Sequence, residues 1–329
     1  MNLLYQKGQK NRKIFRYMPE YNYSALWENN ITVRFFADYK NKGGEYIELP
    51  PDKSEFYDVS LGTYCPENCP FCYTSAKSSG VFYEDICETW KKWSKTWFRR
   101  KIGDIEVTDA PYQIALGSGG ESSEHYNFIE FLKVVRETGV IPNYTTSGRI
   151  LGYNGDDPKE INRREEMIDA TVKYCEAVAI SLGNKRLREQ AFRAINNLLG
   201  KDIKITLHHI ISDIQSVDKF FKIRESYKPG EIHYHVLLPL VKHGRSNSEM
   251  DQETFDYLER KLLEKKDNKE SISDISFGAK FIPFLSKSNK LGVNIFPEQT
   301  FSKNVLLQKD KVIITPSSFD LTPIKEIKF

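Results

Sequence analysis

Six short apolar or β-branched runs recur along the middle of the chain. They are FYDVSLG, YQIALGS, VIPNYTTS, AVAISLG, IKITLHHII and IHYHVLLPL. Most are separated by amphipathic stretches, such as EHYNFIEFLKVVRETG and RLREQAFRAINNLLG, which have helical spacing and end at a glycine. This alternation predicts parallel strands joined by crossover helices. Six such units favour an α/β fold built as a partial (β/α)6 barrel, similar to a TIM barrel.

The flanking segments have different patterns, which divide the chain into three predicted parts. Residues 1–55 form an N-terminal extension, in which ITVRFFADY and EYIEL are predicted to be the strands of a β-hairpin. Residues 56–250 form the barrel. Residues 251–329 begin with a charged helix, FDYLERKLLEKKDNKE, and continue with NVLLQ and KVIIT, which are predicted to pair as a second hairpin in a strand-rich cap.

The composition is that of an ordinary globular protein. The 329 residues are 40% hydrophobic and 28% charged, with a formal net charge of +3. That charge is too small to indicate nucleic-acid or membrane binding by itself. The longest apolar runs are far shorter than a membrane span, and the basic N-terminus lacks the apolar core of a signal peptide. We therefore expect a cytoplasmic protein.

Polar motifs follow four successive predicted strands. The cysteines follow the first strand, GSGGESS the second, TTSGR the third and SLGNKR the fourth. Because active sites of barrel enzymes lie on the loops that follow the strands, these motifs are expected to meet at one cavity.

Three of the five cysteines lie in one loop. Cys65, Cys69 and Cys72 have the spacing C-x3-C-x2-C, which suits a metal site rather than a disulfide framework. Thiolates are ligands for zinc or iron–sulfur clusters, and a structural site of either kind takes four protein ligands. Three ligands leave one metal position open. The alternative is a zinc site completed by a distant histidine, by Cys87 or by Cys175.

The cysteine motif, with Phe71 before its last cysteine and Tyr73 after it, resembles the signature of radical S-adenosylmethionine enzymes. The resemblance implies that the three cysteines hold one [4Fe–4S] cluster and that S-adenosyl-L-methionine occupies the fourth iron. It further implies reductive cleavage of that cofactor to a 5′-deoxyadenosyl radical, which abstracts a hydrogen atom from a substrate.

Other motifs are similar to cofactor-binding segments of the same family. SGGES resembles the Gly-Gly-Glu-Pro motif that binds the methionine amino group, with Ser122 in place of proline. YTTSG resembles the Thr-Asn-Gly strand end, and SLGNKR resembles a Ser-Leu-Asp-Gly segment before an arginine-bearing helix. VLLPLVKHGRS resembles the sixth-strand segment that lines the adenine. The residues that these resemblances implicate in cofactor binding are Gly119, Gly120, Glu121, Ser147, Ser181, Arg186, Arg188, Val236 and Leu237, together with Phe71 and Tyr73.

Within the family, the sequence is most similar to the peptide-modifying SPASM or twitch-type branch. Gly244 and Arg245 match the Gly-Arg pair of that branch, and the C-terminal hairpin resembles its auxiliary-cluster module. The cysteines of such a module are absent, because Thr300, Ser302, Ser317 and Ser318 stand near their positions. The resemblance thus implies an oxidoreductase with one cluster, a peptide or protein substrate and an external electron donor such as a flavodoxin or ferredoxin.

Four histidines lie on two predicted strands. One of His208 and His209 must face the barrel interior, which makes both candidate substrate contacts. His233 and His235 share a face, and a second metal site there is the less favoured interpretation.

The segment CETWKKWSKTWFRR places Trp90, Trp93 and Trp97 at helical spacing among basic residues. Its favoured interpretation is the apolar face of the first barrel helix. A nucleic-acid surface is the alternative, and modification of a nucleic-acid base is therefore the second candidate function. A third, of another class, is a non-catalytic interaction protein stabilised by a metal.

Overall fold

A computed structural model of the chain describes residues 13–18, 23–28, 31–36, 49–183, 187–288, 290–291 and 302–329. Its main feature is a ten-stranded, mostly parallel sheet. Six of the strands correspond to the six apolar runs of the sequence, so the predicted α/β fold with a partial barrel is confirmed. These strands are β4 (Phe56–Ser60), β7 (Gln113–Leu116), β8 (Ile141–Thr146), β9 (Ala177–Ser181), β10 (Lys204–Ile211) and β11 (Tyr234–Pro239).

Within this set of six, each strand pairs in parallel with the next, from β4 and β7 to β10 and β11. Their carboxyl ends therefore lie at one edge of the sheet. The helices that connect or follow them are α1 (Ile86–Ser94), α2 (Phe128–Glu137), α3 (Pro158–Tyr174), α4 (Arg188–Leu198), α5 (Ile214–Glu225) and α6 (Gln252–Asp267).

Successive residues along the strands face two different environments, most regularly in β10. In β10, every second residue is buried in the layer between sheet and helices, and the residues between them face the barrel interior. Two apolar clusters fill that layer, one of them beneath α5 and α6. The starts of α3, α5 and α6 are set by the local sequence. Asp157, Asp213 and Asp251 each cap one of these helix N-termini through a side-chain oxygen.

The N-terminal strands form a second sheet. The strands β1 (Lys13–Met18), β2 (Tyr23–Glu28) and β3 (Ile31–Phe36) are antiparallel neighbours, and β1 also pairs with β6 (Ile105–Thr108). A hairpin of β6 with β5 (Arg99–Ile102) completes five strands. This sheet thus joins residues on both sides of the predicted boundary at residue 55. The EYIEL arm of the predicted N-terminal hairpin lies largely outside the described residues.

The C-terminal segments extend the main sheet at both ends. Strand β12 (Ile275–Phe277) pairs with β11, and the short helix α7 (Ile282–Ser288) follows it. Strand β13 (Ser302–Gln308) pairs in parallel with β4. It forms the predicted hairpin with β14 (Lys311–Thr315), and β15 (Lys325–Lys328) is added outside.

The three tryptophans of the first barrel helix are buried in the apolar core. Trp90 and Trp93 have essentially no exposed surface, and Trp97 is 6% exposed. The Trp90 ring contacts both other tryptophans and Phe131, and its indole nitrogen donates to the Thr138 hydroxyl oxygen over 3.1 Å. The structure thus favours the core interpretation, because buried rings are not available for stacking on bases.

We predict that Trp90→Ala lowers the free energy of unfolding by about 3–5 kcal/mol, because it leaves a cavity among packed rings. The measurement is urea denaturation followed by circular dichroism. Phe98, which is 54% exposed, provides the control. Phe98→Ala is expected to change stability by about 0.5 kcal/mol or less. Equal effects of the two substitutions would contradict this description of the core.

Candidate functional site

A cavity of 590 Å³ lies at the carboxyl ends of the barrel strands. That volume lies in the range of small-molecule and cofactor sites, about 300–1,000 Å³. Its wall brings together most of the candidate residues identified from the sequence. They are Cys65, Cys69, Phe71, Cys72, Tyr73, Gly119, Gly120, Glu121, Ser147, Ser181, His208 and Val236.

Three other candidate residues that the structure describes do not lie on this wall. The Leu237 side chain is fully buried in the core on the helix side of the sheet. His209 points to that same side, and Arg188, at the start of α4, does not line the cavity. Arg186 lies outside the described residues. Of the two histidine candidates for substrate contact, only His208 therefore faces the cavity.

The three clustered cysteines present their thiols along one part of the wall. None of the chain's five cysteines is in a disulfide bond. The Cys72 sulfur lies 3.3 Å from the Thr74 hydroxyl oxygen. Burial raises the pKa of the Cys65 thiol to about 12, and the nearby Glu121, Cys69 and Glu67 add to the increase. This thiol is therefore protonated at neutral pH unless a bound metal displaces the proton.

The donor set fits an iron–sulfur cluster in kind, because cluster irons take protein thiolates and all three thiols border one cavity. Among the described residues, no three His, Cys, Asp or Glu side chains surround a single metal-ion position. The proposed zinc ligands Cys87 and Cys175 pack in or against the apolar core instead. Neither lines the cavity.

The Gly-Gly-Glu segment packs against the cysteine loop. A Cβ atom on Gly119 would lie 2.0 Å from the Ser60 hydroxyl oxygen, and one on Gly120 would lie 2.1 Å from the Tyr64 carbonyl oxygen. The Glu121 backbone N–H donates to that same carbonyl over 2.9 Å. Both glycines are therefore required by the close approach of this segment to neighbouring parts of the chain itself.

The Glu121 carboxylate is buried and held in place. Its Oε1 atom accepts from the Ser123 hydroxyl over 2.6 Å, and its Oε2 atom accepts from the Ser147 backbone N–H over 2.8 Å. Each carboxylate oxygen can accept a further hydrogen bond. Since the residue lines the cavity, this carboxylate can pair with a cation bound there.

Ser181, His208 and Val236 are neighbours in register on β9, β10 and β11. All three line the cavity. Burial lowers the pKa of His208 to about 4, so its imidazole is neutral at pH 7. A neutral imidazole both donates and accepts hydrogen bonds, which suits it to contact a polar group in the cavity.

Several cavity residues from the first barrel strand and the C-terminal region are not among the residues predicted from the sequence. Asp58 is one of the inward-facing residues of β4, and its polar character in FYDVS was the available signal. Lys280 and Phe319 come from two C-terminal segments that are far in sequence from the cysteine loop. The Phe319 ring stacks on Tyr73 with centroids 4.6 Å apart, and the Lys280 ammonium lies 4.3 Å from the Phe319 centroid. The C-terminal segment therefore forms part of the cavity wall beside the cysteine loop.

On the other side of β10 and β11, His209 and His235 form a buried pair with Nε2 and Nδ1 3.0 Å apart. The Phe220 ring packs on His209 with centroids 5.1 Å apart. His233, by contrast, is exposed. The second metal site considered for His233 and His235 is therefore not assembled.

Comparison with known proteins identifies this architecture. No family model and no curated protein matches the sequence. Among solved structures, Streptococcus suis SuiB bound to precursor peptide SuiA matches with a TM-score of 0.57 and 12% identity. The match covers 82% of this chain and 60% of SuiB. SuiB bound to S-adenosylmethionine matches with a TM-score of 0.54 and 12% identity, over 80% of this chain and 60% of SuiB.

At 12% identity these matches show a shared fold, and they agree with the predicted partial-barrel architecture. This chain spans about 60% of the length of SuiB.

We predict that Gly120→Ala destabilises the protein by about 1–3 kcal/mol, because the new methyl group would overlap a backbone carbonyl that cannot move cheaply. Thermal unfolding measures the effect. Gly155→Ala is the matched control, since its methyl group would meet only the end of the flexible Tyr153 side chain. Equal melting temperatures of the wild type and Gly120→Ala would refute the described packing.

The buried histidine pair predicts a loss of stability in acid. Burial holds the pKa of His209 and His235 well below the ordinary 6.5, with His208, Asp274 and Arg224 as the charged or titratable neighbours. The unfolded chain thus binds more protons than the native one, and stability falls as the pH decreases from about 6.5 towards 4. His235→Gln should flatten this dependence in urea denaturation, whereas His233→Gln should leave it nearly unchanged. Parallel pH profiles of the wild type and His235→Gln would contradict the assignment.

Proposed function

We propose that this protein is a radical S-adenosylmethionine enzyme that modifies a peptide or protein side chain. One observation carries the proposal. The three cysteines and the Gly-Gly-Glu segment border a single cavity at the carboxyl ends of six parallel strands, in a fold shared with SuiB.

Cys65, Cys69 and Cys72 would hold a [4Fe–4S] cluster. When bound, such a cluster would supply the electron for reductive cleavage of S-adenosyl-L-methionine, and thereby the radical chemistry that removes a hydrogen atom from the substrate. The free acceptor positions of Glu121 would bind the amino group of the methionine moiety. Ser181 and the backbone at Val236 would contact the nucleoside part, and His208 would contact the substrate.

The peptide substrate is supported by two observations. SuiB has been crystallised with its precursor peptide, and its fold is shared by this chain. A cavity of 590 Å³ that would also hold a cofactor leaves room for one side chain rather than for a whole large molecule. The nucleic-acid alternative loses its support in the sequence, because the tryptophans that suggested it are buried.

An external donor such as a flavodoxin or ferredoxin would deliver the electron. The two remaining cysteines, Cys87 and Cys175, pack in or against the apolar core, which agrees with a single cluster. Clustered thiols outside disulfide bonds suit the reducing cytoplasm. None of the described helices is long and apolar enough to cross a membrane.

The proposal predicts that anaerobic reconstitution with iron and sulfide produces a [4Fe–4S] absorption and electron paramagnetic resonance spectrum. Dithionite and S-adenosyl-L-methionine should then yield 5′-deoxyadenosine, measured by liquid chromatography. Cys69→Ala should lose both signals, because the cluster loses one of three thiolate ligands. Its circular dichroism spectrum should stay the same, since Cys69 is not part of the apolar core.

Cys87→Ala is the matched control, because its thiol lies away from the cavity and both signals should persist. A folded wild-type protein that yields neither a cluster spectrum nor 5′-deoxyadenosine would refute the proposed function. That result would favour the non-catalytic interaction protein.

A further inference from the structure

The loop after β11 docks directly onto the cysteine loop. Gly244 has a φ of +63°, which favours glycine. A Cβ atom at this position would lie 2.3 Å from the Tyr73 carbonyl oxygen and 2.4 Å from that of Cys72. Both the backbone conformation and the lack of space therefore require glycine at this contact.

Arg245, the next residue, donates three hydrogen bonds to carbonyl oxygens of the cysteine loop. Its backbone N–H donates to Cys72 over 3.0 Å. Its Nε atom donates to Cys69 over 2.8 Å, and its Nη1 atom donates to Ala76 over 2.6 Å. The planar guanidinium group thus joins carbonyls on either side of the last cysteine, which a single ammonium group cannot do with the same geometry.

The cysteine loop has weak internal support between its second and third cysteines. The Cys72 backbone N–H donates to the Cys69 carbonyl over 3.2 Å, and the Ser75 backbone N–H donates to the Cys72 carbonyl over 3.3 Å. Both bonds are long, and the Arg245 bonds to the same two carbonyls are shorter. Bonds from a charged donor are also stronger than those from a neutral one.

Arg245 forms no ion pair with an acidic side chain in the part of the chain that the structure describes. Its partners there are carbonyl oxygens, and its Nη2 atom is buried without an acceptor among those residues. A positive charge beside the cysteine loop would stabilise the reduced form of a cluster bound there, because reduction makes the cluster more negative.

We propose that Arg245 is the positioning residue of the cluster site. It holds the Cys69–Cys72 turn in the ligating conformation, with Gly244 allowing its approach, and it supports cluster reduction through its charge. The second role rests on the proposed function, whereas the first concerns the cysteine loop even without a cluster.

The test uses Arg245→Gln, which removes the charge, and Arg245→Lys, which keeps it but loses the planar fork. Arg224→Gln is the matched control, because the Arg224 side chain is likewise hydrogen-bonded within the fold, with two bonds to Asp274 and one to the Ser271 carbonyl oxygen. Arg224 does not line the cavity.

The first measurement is amide hydrogen exchange of the full chain without metal. In Arg245→Gln, residues 65–77 should exchange about tenfold faster or more, because three bonds that close this segment are reduced to one. Residues 204–211 should exchange as in the wild type. Arg224→Gln should leave the exchange of residues 65–77 unchanged.

The second measurement is iron content and midpoint potential after reconstitution. Arg245→Gln should hold less than about half of the wild-type iron, and its remaining cluster should have a more negative potential, because the lost cation had favoured the reduced state. Arg245→Lys should bring the potential back towards the wild type while its iron content stays reduced. If Arg245 acted only by holding the loop, the midpoint potential of the cluster would not depend on the charge of the side chain at this position.

Exchange of residues 65–77 within about twofold of the wild type in both Arg245 variants would overturn the positioning role. Equal potentials of wild type and Arg245→Gln would overturn the electrostatic role. Should Arg245→Gln fail to fold, as judged by circular dichroism, Arg245→Lys decides the exchange experiment. Should the wild type bind no cluster, the proposed function fails, and the exchange experiment still decides whether Arg245 holds the loop.

Discussion

The cysteine loop depends on hydrogen-bond donors that come from the ends of other strands. The carbonyl of Tyr64 accepts from the backbone N–H of Glu121, and the carbonyls of Cys69, Cys72 and Ala76 accept from Arg245. A loop that carries three thiols on a cavity wall cannot satisfy its backbone with a helix or strand of its own. The rest of the site follows from this constraint, because the segments that supply the donors must approach closely and therefore carry glycines.

The parallel sheet makes that approach possible. Since β4, β7, β8, β9, β10 and β11 follow one another in sheet order, the loops after them meet around one cavity. The inner face of these strands carries polar residues such as Asp58, Ser181 and His208 among apolar ones, whereas the outer face is packed against the helices. The same alternation that buries His209 against α5 exposes His208 to the cavity. A shift of one residue in register would exchange the two side chains.

Local sequence patterns were sufficient for some parts of this description. The six strand runs and the tryptophan-bearing helix could be predicted because burial on one or both faces imposes a periodicity on neighbouring residues. The cavity could be predicted from polar motifs at successive strand ends. Asp58 left one weak signal, a single polar residue in a strand run, whereas Lys280 and Phe319 left none, because they meet the site only through the C-terminal segments.

The sequence by itself determined the elements of the barrel, the clustering of three thiols and the polar segments expected around them, since these are properties of residues close together in the chain. The tertiary structure alone decided what each segment contacts. It placed Gly119 and Gly120 against the cysteine loop, and it joined Arg245 to carbonyls about 170 residues earlier in the chain. It also stacked Phe319 on Tyr73. The physical reason is that a backbone carbonyl accepts from whichever donor the fold brings near, and no local pattern records that choice.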